Sequence, residues 1–502
     1  MDEETRRRRL VAALQAFLET PLDAHFAARR GIDPTARAIA FFHEVARDVP
    51  AYGAFLREHG VDSAAVSSPE AFARLPLVTK ADYLKKHPLP ALCRGGSLLS
   101  SETIAASSGS TGDPMLWPRS LADEVAVAVR FEQVFLDSFE ADRKRTLAVV
   151  CFPLGTWIGG MFTATCCRHL ATKGYPIFTV TPGNAKAEIL HLVKELGPLF
   201  EQTVLLGYPP FLKDVIDSGN AGGIHWRDRA VKLVLAGEVF TEEWRTLMGA
   251  RAGMTRPLLD SASLYGTADA GVLGNETPLT IAIRRFLAER PEDARALFGE
   301  GRLPTLVQFD PCARYFEVHE GTLVFTGDNG IPLVRYHISD DGGVVPYGAL
   351  IARLRALGFD AVQAATDAGA RTLRELPFVY VFGRSHFALS FFGANIFPEM
   401  VSVGLEQPQL VAHVTGKFVM ELVKGEDFDV ELAIAVELAP GVAGDASLEG
   451  AIAQSILEHL LRLDPEFGAY VPKERQLPRV TLHATGDPGY FPVGVKHRYS
   501  RR

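Results

Sequence analysis

The chain has 502 residues, is 47% hydrophobic and 22% charged, and carries a formal net charge of −8. This is the composition of a globular protein of two or three domains, and its acidic balance leaves no electrostatic footprint for nucleic acid. No stretch of about 18 uninterrupted apolar residues predicts a transmembrane span, and five scattered cysteines exclude a disulfide framework or paired C-x2-C metal site, so reduced thiols and a cytoplasmic location are expected.

The basic run Arg6 to Arg9 precedes Leu10, Val11, Leu14, Phe17 and Leu18 at helical spacing, with Glu19 interrupting the apolar face. It reads as a solvated helix face, not a signal peptide. The first hundred residues read as helices with proline-containing connections. Residues 103–105 are strand-like and lead into Ser107-Ser108-Gly109-Ser110-Thr111-Gly112-Asp113-Pro114. A loop of this kind can turn its N–H groups toward one point and set the Ser110 and Thr111 hydroxyls beside them, forming an anion nest. Gly109 and Gly112 give it conformational freedom. The spacing differs from a P-loop, and no lysine follows Gly112; taken alone, the stretch reads equally as a surface turn.

An amphipathic helix is predicted over 121–139, and then strand and helix alternate. Strands are predicted at 146–152, 176–180, 203–206 and 231–236, and helices at 158–170, 185–196, from 211, and at 241–247. That rhythm predicts a doubly wound α/β sheet. Ligands bind such sheets at the carboxyl ends of strands, here after Phe152, Leu206 and Ala236 and near Tyr265. The adjacent Cys166 and Cys167 fall in an apolar helix and read as core. From about 305 the texture changes to hairpins, with a turn at His319-Glu320-Gly321. Residues 349–376 read as helical and 378–382 as a strand. Apolar runs at 411–415, 417–422 and 429–437 and a helix over 448–463 predict a smaller α+β unit. The boundary falls at 383–387, giving domains 1–383 and 384–502.

With these segments in order, the chain resembles the AMP-forming adenylate enzyme superfamily, and within it the phenylacetate–CoA ligase branch, over roughly residues 70–500. Ser107 to Pro114 matches that family's phosphate loop. Cys151 to Gly160, with Trp157, Gly159 and Gly160, resembles its acyl-pocket segment. Ala236-Gly237-Glu238 resembles its adenine-side turn, and Tyr265-Gly266-Thr267-Ala268-Asp269 its Tyr-Gly-x-Thr-Glu motif. Arg335-Tyr336-His337-Ile338-Ser339-Asp340 resembles Arg-Tyr-Arg-Thr-Gly-Asp. Gly383-Arg384 and Gly393-Ala394-Asn395-Ile396-Phe397-Pro398 resemble the hinge and the motif after it.

The resemblance implies a large adenylate-forming domain with doubly wound sheets and a small α+β C-terminal domain. It implies activation of an aryl or other apolar carboxylic acid by ATP as acyl-AMP, then transfer to CoA. Transfer to an amine or protein thiol, or a non-catalytic nucleotide- or acyl-binding relative, are the alternatives. Ser108, Gly109, Ser110, Thr111 and Gly112 are expected to hold the departing phosphates. Asp269 is expected to ligate Mg²⁺, a hard cation that takes oxygen ligands. Asp340 is expected to accept the ribose hydroxyls. Tyr265, with Gly266 and Thr267, lies against the adenine in this reading, as do Gly237 and Glu238. Arg384 lies near ribose and phosphate, and Trp157, Gly159 and Tyr208 line the acid's pocket. Lys496 bridges carboxylate and α-phosphate. A homodimer is allowed.

Each residue has a plainer reading. Asp340 and Asp341 precede Gly342-Gly343 and read as turn acids. Asp269 and Glu238 read as helix caps, Trp157 as core, and Lys496 as part of a solvated basic tail. The chain also departs from the family at three places. Asp113 stands where many relatives carry lysine, and Ser385-His386-Phe387 replaces x-Asp-Asp at the hinge. Lys496 lies one residue further from its glycine than the family's lysine.

Overall fold

The apolar runs that alternate with helices between residues 146 and 267 pair in parallel, as that rhythm requires. A computed structural model describes residues 3–501 apart from 108–114, 157, 238–239, 241, 300–302, 385–388, 397, 406, 408, 411, 425–428, 440 and 492–499. Strands β1 (Thr103–Ser107) and β2 (Met115–Arg119) form a separate ribbon. β3 (Thr146–Val150), β4 (Ile177–Val180), β5 (Gln202–Gly207), β6 (Lys232–Ala236) and β7 (Ser261–Thr267) make the parallel half of the main sheet. Every residue of β3 and β5 is buried, which explains why these strands read as continuous apolar runs without alternation.

At β7 the chain reverses. β8 (Gly271–Asn275) returns antiparallel to it, and β9 (Thr305–Gln308), β10 (Arg314–His319), β11 (Thr322–Gly327), β12 (Leu333–Val345) and β13 (Phe378–Arg384) complete a mixed sheet. Its eleven strands run in the order β10-β11-β12-β13-β9-β8-β7-β6-β5-β3-β4. The hairpin between β10 and β11 closes on Glu320 (φ 49°) and Gly321 (φ 80°) with His319 opposite Thr322. Two left-handed residues are what a type I′ turn requires.

The helix expected over 121–139 spans Leu121–Asp137, opened by a reciprocal capping box between Ser120 and Asp123. The single helical stretch expected over 349–376 is two helices, Tyr347–Ala356 and Ala361–Asp367. Gly358 (φ 81°) and Gly369 (φ 91°) end them, and the Asp360 carboxylate caps the second by accepting from the N–H groups of Val362 and Gln363. Cys166 and Cys167 are fully buried in the helix Ile158–Thr172.

The described chain forms two compact units. The larger covers 3–107, 116–207 and 215–384; the smaller is built on residues from 389 onward together with Tyr208–Asp214. In the smaller unit β14 (Leu389–Phe391) and β15 (Ala394–Ile396) make a hairpin. β16 (Val414–Lys424), β17 (Val430–Leu438), β18 (Arg479–His483) and β19 (Ser500–Arg501) form a sheet in the order β18-β17-β16-β19, accompanied by the helix Ala446–Leu463. Strand β16 takes in the apolar run expected at 417–422 and, of the run expected at 411–415, only Val414 and Thr415. A register shift between Val414 and Phe418 surrounds Gly416 (φ 84°). No described helix is long and apolar enough to cross a membrane.

Candidate functional site

β7 ends at Tyr265-Gly266-Thr267 and turns through Ala268-Asp269-Ala270 into β8. Gly266 is required by close approach: a Cβ there would lie 2.7 Å from the carbonyl oxygen of Gly271. The turn is pinned by the Ala270 N–H, which donates to Thr267 Oγ1 at 3.2 Å. A strand, not a helix, follows Asp269, so the helix-cap reading of that residue lacks its helix.

Asp269 is 2% exposed. Its Oδ2 accepts a hydrogen bond from the Tyr336 hydroxyl and pairs with Lys80 Nζ at 3.2 Å. Its Oδ1 is buried with no partner among the described residues. Buried carboxylate oxygens are nearly always satisfied, so this one calls for a further donor or cation. Behind the turn, Arg119 Nη2 donates to the carbonyls of Ala268 and Asp269, the latter at 3.1 Å.

β12 brings up the second acid. Its backbone takes left-handed φ at Arg335 (48°) and Ser339 (63°), two non-glycine positions; strain of this kind gathers at functional sites. Asp340, directly after Ser339, is 3% exposed and accepts a 2.7 Å hydrogen bond from the Tyr265 hydroxyl through Oδ2. Across the ladder it faces Arg384 on β13. The turn-acid reading of Asp340 and Asp341 is therefore corrected: both lie inside β12. Gly342 and Gly343 serve packing, since a Cβ would collide with the Tyr380 carbonyl oxygen at the first and with its hydroxyl at the second.

The segment before Lys80 docks on this strained strand. The Val78 N–H donates to the Arg335 carbonyl (3.0 Å), and the His337 N–H donates to the Val78 carbonyl (2.9 Å). Arg335 is fixed by Glu317, 3.1 Å to each carboxylate oxygen, and by the Leu75 carbonyl. The ladder thus carries Lys80 to Asp269, and the Lys80 ammonium also lies 6.0 Å from the Trp117 ring centroid.

After β6, Gly237 takes φ 87°. The chain beyond it is held by a buried ionic network. Arg284 Nη2 donates to the Phe240 carbonyl (2.8 Å), and Arg245 binds Glu242 (3.0 Å) and both oxygens of Glu276 (2.7 and 2.9 Å). Burial pushes the Glu276 carboxyl up, but Arg245 and Arg284 outweigh it and hold it below the ordinary carboxylate value. Glu276 also accepts from the Ser263 N–H of β7 at 2.8 Å, so one network ties Phe240 and Glu242 to the strand bearing Tyr265.

No protein-family model matches the sequence, and no curated protein does. Among solved structures, 2-hydroxyisobutyryl-CoA ligase in complex with 2-HIB-AMP and CoA in the thioesterification state aligns with a TM-score of 0.65. Sequence identity is 16%, over 95% of this chain and 90% of that one. The same ligase with 2-HIB-AMP in the postadenylation state aligns at 0.52, with 16% identity over 95% and 89% of the two chains. The fold is that of this 2-hydroxyisobutyryl-CoA ligase.

Within this fold, Tyr265, Gly266, Thr267, Asp269 and Asp340 come together where the end of β7 meets the middle of β12. Gly159 lies in the first turn of the helix Ile158–Thr172, and the Ala106 N–H donates to the Thr156 carbonyl (2.9 Å), joining β1 to that segment. Tyr208 belongs to the smaller unit, its ring 5.2 Å from that of Tyr470; a Cβ on Gly393 would lie 2.7 Å from it. Ser108, Gly109, Ser110, Thr111, Gly112, Trp157, Glu238 and Lys496 lie outside the described residues, as does the Arg384 side chain. Lys80 and Arg119 escape the sequence reading. Each is a lone cation far along the chain from Asp269, and only the docking of strands makes them neighbours.

Proposed function

We propose that the chain is an ATP-dependent ligase that activates a carboxylic acid as acyl-AMP and passes the acyl group to CoA. The observation that carries this reading is the presence of two buried acids: Asp340 already aligned by the Tyr265 hydroxyl, and Asp269 with one oxygen committed and the other without a partner among the described residues. Asp340 is suited to accept two ribose hydroxyls. Asp269 Oδ1 suits Mg²⁺, which binds through one or two carboxylates and completes its shell with substrate phosphates and water; among the described residues no group of three or more His, Cys, Asp or Glu competes for that role. Bound there, Mg²⁺ would neutralise charge on the phosphates.

In the first step a carboxylate oxygen of the acid attacks the α-phosphorus, the bond from that phosphorus to the bridging oxygen breaks, and pyrophosphate leaves. In the second, a CoA thiolate attacks the acyl carbonyl and AMP leaves. The protein's part in the first step is positioning and charge stabilisation. Asp340 and Tyr265 orient the nucleoside, Asp269 and Lys80 set the charge beside the phosphates, and Ser110 and Thr111 offer hydroxyls to the leaving group. Lys496 is assigned the bridge between carboxylate and α-phosphate. The motifs at 107–114 and 393–398 favour the phenylacetate–CoA ligase branch and an aryl or other apolar acid.

ATP–pyrophosphate exchange over a panel of carboxylic acids, followed by mass analysis of products with CoA, tests the proposal. Exchange with an acid and a CoA thioester as product support it. Exchange with no thioester would move the acceptor to an amine or protein thiol, and ATP binding without exchange would make the chain a non-catalytic nucleotide-binding relative.

A further inference from the structure

Arg130 stands in the middle of the helix Leu121–Asp137, 4% exposed, and neither its Nη1 nor its Nη2 has a hydrogen-bond partner among the described residues. Gln133, three residues on, is 1% exposed, and both atoms of its amide are equally unpartnered. Residues three apart on a helix are surface neighbours, so the two orphaned groups fall on one side of it. The Phe26 ring lies 5.1 Å from the Arg130 guanidinium carbon and 4.8 Å from that of Arg374. Such a contact engages the face of the guanidinium and leaves its N–H edge unused.

Burial, and then the cations Arg29, Arg374 and Arg314, lower the pKa of Arg130 to about 9 against the opposing pull of Asp137, leaving it charged at neutral pH. The carboxylates at hand are committed. Asp137 takes a bidentate pair from Arg374 (2.8 and 2.9 Å), Asp310 pairs with Arg29, and Glu132 binds Lys173 (2.8 Å) and the Tyr175 hydroxyl (2.9 Å). His25 is pushed down to about 4 by burial and then by Arg29 and Arg130, so it is a neutral ring. A buried cation without a partner is strongly unfavourable, and water satisfies donors without neutralising charge.

We propose that Arg130 and Gln133 bind a small monovalent anion, chloride in ordinary saline, as a resident counter-ion, with the Arg130 Nη groups and Gln133 Nε2 as donors. Nothing in this depends on the nucleotide reading. A cavity of about 270 Å³ is lined by Val129 and Glu132 of the same helix and by His25 and Arg29, among others.

The test follows thermal unfolding of the full chain while sodium gluconate is replaced by sodium chloride at fixed ionic strength. The expected result is a saturable rise of about 2 °C in the unaltered protein, lost in Arg130→Met and reduced in Gln133→Leu. Equal rises in all three proteins would overturn the proposal. Should Arg130→Met fail to fold, diffraction from crystals of the unaltered protein grown in bromide decides the matter. An anomalous peak within hydrogen-bond reach of Arg130 upholds the site, and an ordered water without anomalous signal refutes it.

Discussion

The Tyr265 hydroxyl fixes which way the Asp340 carboxylate faces, and a ribose needs that orientation set in advance. Tyr265→Phe removes one hydrogen bond and almost no volume. It is expected to weaken ATP binding by about 1 kcal/mol, roughly fivefold, with the melting temperature of the free protein little changed. Calorimetric titration with ATP checks this, and an unchanged affinity would separate Tyr265 from the nucleotide. Asp269 makes a different prediction because its unpartnered Oδ1 is the proposed metal ligand. Asp269→Asn keeps the shape and removes the charge. The Mg²⁺ concentration for half-maximal pyrophosphate exchange should rise roughly 10–100-fold, a range typical of damaged metal sites. An unchanged Mg²⁺ requirement would leave Asp269 as a structural acid held by Lys80 and Tyr336.

At the scale of elements, strand and helix positions in the parallel half are legible because buried strands and amphipathic helices differ in period. The β10–β11 hairpin is legible because Glu320-Gly321 can adopt two left-handed conformations. Helix breaks at Gly358 and Gly369 are visible as glycines but not as ends, since an isolated glycine does not declare its φ. The left-handed backbone at Arg335 and Ser339 leaves no trace in the sequence at all; it occurs where β12 pairs with β11 and β13 and receives Val78. In the smaller unit, the short helix Pro465–Tyr470 is capped by Asp464 Oδ1, which accepts from the Glu466 N–H at 3.0 Å, while Oδ2 is buried without a partner. Burial raises the Asp464 carboxyl from 3.8 to about 6 against the pull of the Phe467 and Glu466 N–H groups. The folded state therefore binds this proton more tightly than the unfolded one, and its contribution to stability falls as pH rises from about 4 to 6. Asp464→Asn retains the cap oxygen and removes the titration. It should raise the melting temperature at pH 8 and leave it nearly unchanged at pH 4, as scanning calorimetry at the two pH values would show; equal effects at both would remove burial of the charge as the cause.

For the whole molecule, an alternating α/β reading predicts the class of the main sheet, but not its antiparallel half beyond β7. That half depends on long-range pairings, such as β9 with β13, that no local pattern announces. The candidate site divides the same way. Tyr265, Asp269 and Asp340 stand in recognisable motifs, whereas Lys80 becomes visible only when β12 has folded. A fold shared at 16% identity with 2-hydroxyisobutyryl-CoA ligase is compatible with several acids and acceptors, so the decisive question is whether this chain forms an adenylate. Acid-dependent exchange of labelled pyrophosphate into ATP, measured side by side for the unaltered protein and a folded Asp340→Ala variant, asks it directly. Mg²⁺-dependent exchange is expected with at least one carboxylic acid, falling by roughly 10²-fold or more in the variant. Exchange that proceeds at the same rate in both proteins, or that is absent with every acid although ATP binds, would contradict it.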